Sequence, residues 1–360
     1  VTTVNGQSVD GNSISFKALE KITVEGEVLD ASGQLVTDFT GIVNPTVKDS
    51  KVTVTCLKNS NKDDSPAFTF TDYPNTIFIG NDSVRNGKFS FTFTVPKDIS
   101  YSNLQGKMNL YAVDTESGNE AQGNFDNFIV GGTSDTAETD TIGPEIRALY
   151  LNDTTFMDGG QVNTTPYFVA ELWDKSGVNI TGSSVGHDMM LVIDESTVLS
   201  YNLNSYYELL LGEDGTGIVK FPIPALEPGK HTAEFWVWDI LNNSTVRTFT
   251  FEVVEGLKPF LFDVIATPGI AREQVTFHLM HNRPESRMRV GIMVYDLAGR
   301  QLWKHEESGT SGLFENYTVS WDLTSGGARM RPGVYIYRAA ISTDNSKDAT
   351  KARKFIILGE

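Results

Sequence analysis

At 360 residues the chain is longer than one antiparallel sandwich usually holds, and the prior of roughly 100–200 residues per domain makes two or three domains. With 39% apolar and 21% charged residues, 21 Phe and 12 Tyr, the composition excludes disorder and suits twisted sheets joined by turns. The net charge of −17 excludes the clustered basic footprint that nucleic-acid binding needs, and no stretch approaches the roughly 18 apolar residues of a membrane-spanning helix.

From Ile22 to Val130 short alternating runs stand between turn residues. The clearest is Phe89–Val95, with Phe89, Phe91, Phe93 and Val95 on one face, Ser90, Thr92 and Thr94 on the other, and Pro96 ending it. Lys107–Val113 and Asn127–Val130 follow. In Lys51–Leu57, Val52, Val54 and Cys56 share a face, so the only cysteine is expected in the core; with one Cys, no intrachain disulfide forms. Gly131–Pro144 has no periodicity and is expected to be an exposed linker.

A second series of strands is expected at Tyr167–Trp173, Met189–Ile193, Tyr206–Leu211, Gly217–Phe221, His231–Trp238 and Val246–Val253, and a third at Gln274–Met280, Arg287–Tyr295, Gln301–Lys304, Tyr317–Trp321, Gly333–Ala340 and Lys351–Leu358. No 12-residue amphipathic helix with capping signals occurs. The expected fold class is therefore all-β, three consecutive antiparallel Ig-like β-sandwich domains at 1–132, 133–257 and 258–360. Their net charges are −6, −14 and +3. The chain starts at Val1 without a leader pattern, and is expected to be a soluble fragment or processed chain.

Candidate chemistry is sparse. A Cys–His enzyme requires a thiolate beside a base, and Cys56 in mid-strand lacks that setting. No Gly-x-Ser-x-Gly elbow occurs, and His278 and His281, three apart in a strand, point to opposite faces. Gly186-His187-Asp188, in a Gly/Ser-rich turn, is a candidate functional loop whose imidazole can bond the neighbouring carboxylate; incidental turn chemistry is the competing reading. Asp174, Asn179, Asp239, Asn242 and Asn243 offer oxygens to Ca²⁺, but no Asp-x-Asp-x-Asp-Gly loop is present, and turn chemistry is preferred; no other cofactor is expected. Trp173, Trp236 and Trp238 raise a sugar platform against a core role, and core is preferred.

The series Val95-Pro-Lys-Asp-Ile-Ser-Tyr101, Gly106-Lys107, Leu110-Tyr-Ala112, Gly143-Pro144, Leu151-Asn-Asp153, Gly159-Gly160, Gly186-His-Asp188 and Trp238-Asp239 through Asn242-Asn243 resembles the region after the peptidase domain in the type IX secretion sortase family of Bacteroidota, which is similar to gingipains. Val294–Arg300, Pro332–Tyr337 and Lys351–Ile357 resemble a type IX C-terminal domain, although Ala266-Thr-Pro-Gly269 stands where such domains usually carry Pro-Asn-Pro. The resemblance implies a parent cysteine peptidase at the outer face of the outer membrane that cleaves C-terminal sorting signals from cargo and attaches the cargo to anionic lipopolysaccharide. Its catalytic residues would lie upstream of Val1, so this region would have no catalytic residue and act as scaffold and docking surface.

The implied partners are a FadL-like outer-membrane barrel (PorV), other attachment-complex components and cargo with type IX C-terminal domains. The sequence adds a physical route: Val334, Ile336, Phe355 and Ile357 supply buried strand faces, while Arg331, Arg338, Lys351, Arg353 and Lys354 form a basic rim. Edge strands also carry such charges simply to prevent aggregation. The competing class is a secreted adhesin or carbohydrate-binding cargo ending in the same kind of sorting domain; an autonomous hydrolase is a third.

Overall fold

The computed structural model describes residues 1–57, 66–135, 140–182, 186–210, 215–343 and 345–359. Leu211 of one expected strand and residues 136–139 of the expected linker lie outside these. Among the described residues the chain is all-β with multiple sandwiches, the only helical element is the 3-10 turn Asn204–Tyr206, and no helix is long and apolar enough to cross a membrane. The chain divides into two compact units, one of residues 1–148, 170–219 and 233–248, the other of 149–169, 220–232 and 249–360.

In the first unit, Lys88–Thr94 pairs antiparallel with Lys21–Glu27, and Gly41–Lys48 with Lys107–Asp114. The alternation expected at Phe89–Val95 is realised: Phe89, Phe91 and Phe93 are buried beside Ile22, Val24 and Val43, and Ser90 and Thr92 are exposed. Phe16 stacks on Phe128 at 4.2 Å and Phe78 on Phe93 at 4.8 Å, locking the apolar faces together. Gly26 is opposite Phe89 in register, and a Cβ there would come within 2.2 Å of the ring, so only glycine admits the phenylalanine. Met190–Ile193 pairs with Gly229–Trp238, burying Leu191 against Phe235, and Tyr207–Leu209 pairs with Thr216–Pro222. Tyr206, expected in a strand, ends the 3-10 turn instead.

Val52–Thr55 and Thr69–Asp72 form a separate two-stranded hairpin. Here the expectation for Cys56 fails. The alternation is real, but among the described residues no further strand joins these two; Val52 and Val54 are half-buried, and Cys56, just past the strand end and bonded through its N–H to the Phe68 carbonyl, is exposed.

In the second unit, Leu261–Thr267, Val275–His281 and Tyr317–Trp321 form one sheet, and Ile270–Ala271, Ala349–Ile357, Gly333–Ser342, Met288–Tyr295 and Gln301–Gly309, in that order, form the facing one. Between them lie Val264, Phe277, Leu279, Val290, Ile292, Tyr337 and Phe355. Arg283, fully buried, donates to the carbonyls of Asn282, Leu257 and Lys258 and so ties the entering chain to the sandwich.

Pairing departs from purely antiparallel in a recurrent way. Phe128–Thr133 runs parallel to Ile14–Ala18, Ser244–Val253 to Gln161–Val162, and Ala349–Ile357 to Ile270–Ala271. Each time a late strand returns beside an early one in the same direction, an arrangement that needs a long crossover rather than a hairpin turn.

Candidate functional site

Three loops of the first unit meet at one buried carboxylate. Asp98, 8% exposed, sits in the segment after Pro96; its Oδ2 is 2.6 Å from His187 Nδ1 and accepts from Asn179 Nδ2 at 3.4 Å, and its Oδ1 accepts from Asn242 Nδ2 at 2.9 Å. The His187 ring rests on Trp238 at 4.5 Å, and the Lys97 N–H donates to the Ile240 carbonyl. Three of the motifs that carried the resemblance, Val95–Tyr101, Gly186–Asp188 and Trp238–Asn243, therefore converge here. The imidazole of Gly186-His187-Asp188 takes Asp98, 89 residues away, rather than its neighbour Asp188, which accepts from Asn204 Nδ2 at 2.7 Å. With Nδ1 facing a carboxylate, the half-buried ring is held in one orientation.

Close by, ligand atoms of Asp140, Asp174 and Asp239 lie within 4.8 Å of one another. Burial pushes the Asp174 carboxyl up to about 6, helped by the negative charge of Asp239 and Asp140 and opposed by N–H donors from Gly177 and Ser176. Burial likewise raises Asp239, whereas backbone N–H donation from Ile142 leads in lowering Asp140. Of the five residues weighed for Ca²⁺, Asp174 and Asp239 belong to this cluster and Asn243 is hydrogen-bonded to it. Asn179 Oδ1 accepts from Thr181, Asn242 turns to Asp98, and Asn243 Nδ2 donates to Asp239 Oδ2 at 2.6 Å. Asp140 went unnoticed in the sequence because it closes an aperiodic linker.

The aromatic residues are only half-buried: Trp236 and Trp238 occupy the face opposite buried Ala233, Phe235 and Val237, and Trp173 carries the Arg147 guanidinium at 4.9 Å. Their core placement is thus corrected, since the interior face of that strand goes to the smaller residues alternating with them.

In the second unit, His281 Nε2 is 2.8 Å from Ser311 Oγ, the spacing of a serine–histidine pair. The Arg283 N–H donates to Nδ1 at 3.1 Å, so the proton of the neutral ring is on Nε2 and donates to Ser311. Burial first, then Arg283, lowers the ring to about 4, and it does not act as a base toward that hydroxyl.

The proposed basic rim divides by register. Lys351 and Arg353 share the inward face with Phe355 and reach across to Leu261–Thr267, Arg353 to Asp263 Oδ1 at 2.8 Å and Lys351 to the Phe262 carbonyl. Arg338 and Lys354 lie on the outward face with Ala352, and exposed Arg331 precedes Gly333. Phe355 and Ile357 are buried as expected, but Val334 is 40% exposed and Ile336 half-buried; the inward residues of that strand are Tyr335, Tyr337, Ala339 and Ile341, one position out of step with the expectation.

No family model and no curated protein matches the chain. Among solved structures, that of dimeric latent PorU from Porphyromonas gingivalis is 38% identical, covering 100% of this chain and 34% of that one, with a TM-score of 0.44. The N-terminal Ig1-2 module of the Drosophila receptor protein tyrosine phosphatase DLAR is 10% identical (60% of this chain, 98% of that one, TM-score 0.24), and a tandem repeat from the extending region of a large adhesion protein is 14% identical (94% and 81%, TM-score 0.21). The chain thus spans about a third of PorU, and it is the identity along its whole length that carries the relation. The chain is a relative of PorU, similar to that protein's C-terminal region, and is a type IX secretion sortase-related region.

Proposed function

We propose that this chain is the non-catalytic scaffold and docking region of a type IX secretion sortase, held at the outer face of the outer membrane. The parent enzyme would cleave C-terminal sorting signals from cargo and attach the cargo to anionic lipopolysaccharide. The observation that carries the reading is the 38% identity to PorU sustained over the entire chain. The tautomer of His281 adds support, because it disqualifies the one serine–histidine pair described above.

Residues 258–360 would dock on the FadL-like barrel PorV, beside other attachment-complex components and cargo. The outward face of the five-stranded sheet suits this role. Ile270, 55% exposed, pairs with Ile356, which pairs with Val334, giving an apolar stripe bordered by Arg338 and Lys354. The test is capture by the purified barrel of the full chain, a 258–360 deletion, and the double reversal Arg338→Glu/Lys354→Glu across a salt series. Loss on deletion with salt-sensitive weakening on reversal is expected; undiminished capture by the deleted form refutes docking through this stretch.

A further inference from the structure

The first unit contains a cavity of about 570 Å³, within the roughly 300–1,000 Å³ range of small-ligand sites. Ser90, Thr92 and Thr94 of the strand Lys88–Thr94 line one side; Asp174 and Ser176 line another, and Phe78, Val178, Ile180 and Ile240 supply apolar surface. Asp174 is 6% exposed. Its Oδ1 accepts from the Ser176 and Gly177 N–H groups at 2.8 and 2.9 Å, and its Oδ2 has no hydrogen-bond donor among the described residues. Asn81 in the same lining donates to the Leu209 carbonyl at 2.7 Å, while its Oδ1, shut off from solvent, likewise lacks a donor.

Asp174 Oδ2 is thus the acceptor that this wall leaves to an occupant. Asp140 and Asp239, with ligand atoms within 4.8 Å of that of Asp174, deepen the negative potential, and the two lysines of the lining, Lys21 and Lys175, are exposed. An occupant that matches must bring N–H donors and positive charge on an apolar stem.

We propose that this cavity binds a basic side chain of a partner polypeptide, a lysine ammonium or arginine guanidinium meeting Asp174 Oδ2 while its methylene stem lies on Phe78, Val178, Ile180 and Ile240. The methylenes gain by leaving water and the head group gains a carboxylate in a shielded setting.

The test uses the whole 360-residue chain. Nα-acetyl-lysine methylamide, the arginine counterpart and the isosteric norleucine amide are titrated by calorimetry in EDTA, with calcium chloride as a separate arm. Saturable binding of both basic probes and none of norleucine is expected. Asp174→Asn, which keeps an oxygen for Ser176 and Gly177, should weaken the basic probes about tenfold, and Thr92→Arg, placed on an exposed position of the wall, should abolish binding. Equal binding of norleucine, no binding of either basic probe, or affinity unchanged in Asp174→Asn overturns the proposal. Saturable binding of calcium that excludes the basic probes overturns it as well and reassigns the carboxylates to a cation.

Discussion

Replacing Asp174 with Asn tests the electrostatics of the acidic cluster through stability alone. The carboxyl's ordinary value of 3.8 rises to about 6 in the fold. A group that titrates higher when folded favours its protonated form there, so its ionisation costs nothing below about pH 4 and costs in full above about pH 6; the contribution of Asp174 to stability falls as pH rises through that window. At 1.36 kcal/mol per unit the full cost is about 3 kcal/mol. The asparagine carbonyl keeps the bonds from Ser176 and Gly177 but accepts more weakly than a carboxylate, so Asp174→Asn should stabilise the first unit by about 1–3 kcal/mol at pH 7.5 and by almost nothing at pH 4. Urea unfolding in EDTA at both pH values, followed by tryptophan fluorescence, measures this. A variant less stable than the parent at pH 7.5, or equally shifted at both pH values, refutes the reasoning.

Cys56 should react with a thiol reagent in the folded chain nearly as fast as after denaturation, because it is exposed beyond its hairpin strand; native protection followed by release in denaturant would contradict that placement. Arg283→Ala should cost about 3 kcal/mol in the unfolding of the second unit, since three carbonyls lose a buried donor; a loss below 1 kcal/mol would show that water replaces the guanidinium freely. His187→Ala should lower stability by about 2 kcal/mol by leaving buried Asp98 short of a partner, with Asp98→Asn/His187→Ala recovering part of the loss; strictly additive effects would deny the coupling. Gly26→Ala should destabilise the first unit by about 1–3 kcal/mol and Gly26→Ala/Phe89→Leu by less than the separate effects together, as checked by thermal unfolding.

Where period-two alternation coincided with a two-layer sandwich, the strands were legible in the sequence almost residue by residue, as at Lys88–Thr94 and Tyr317–Trp321. Cys56 obeyed the same alternation and misled, because periodicity reports which side chains share a face and not whether anything covers that face. The one-residue error at Val334 and Ile336 has a related origin: these two are as apolar as Tyr335 and Tyr337, and only Arg338 two positions on marks their face as the outward one. The candidate site was legible only in pieces. His187 and Asp239 stood out as turn residues, but Asp98 is 89 positions from His187 and Asp140 closes an aperiodic segment, and no local pattern reports a contact made by tertiary closure.

The recurrent parallel closure bears on how these modules reach their folded state. The strand Ala349–Ile357 lies inside its sheet, between Gly333–Ser342 and Ile270–Ala271, and the Ile356 and Leu358 N–H groups donate to the Gly269 and Ala271 carbonyls. The first and last segments of that stretch are therefore hydrogen-bonded neighbours separated by some 80 intervening residues. Such closure is dominated by non-local contacts and is slow to form. Until Ala349–Ile357 takes its place the module lacks an interior strand, and Phe355 and Ile357 are missing from its core.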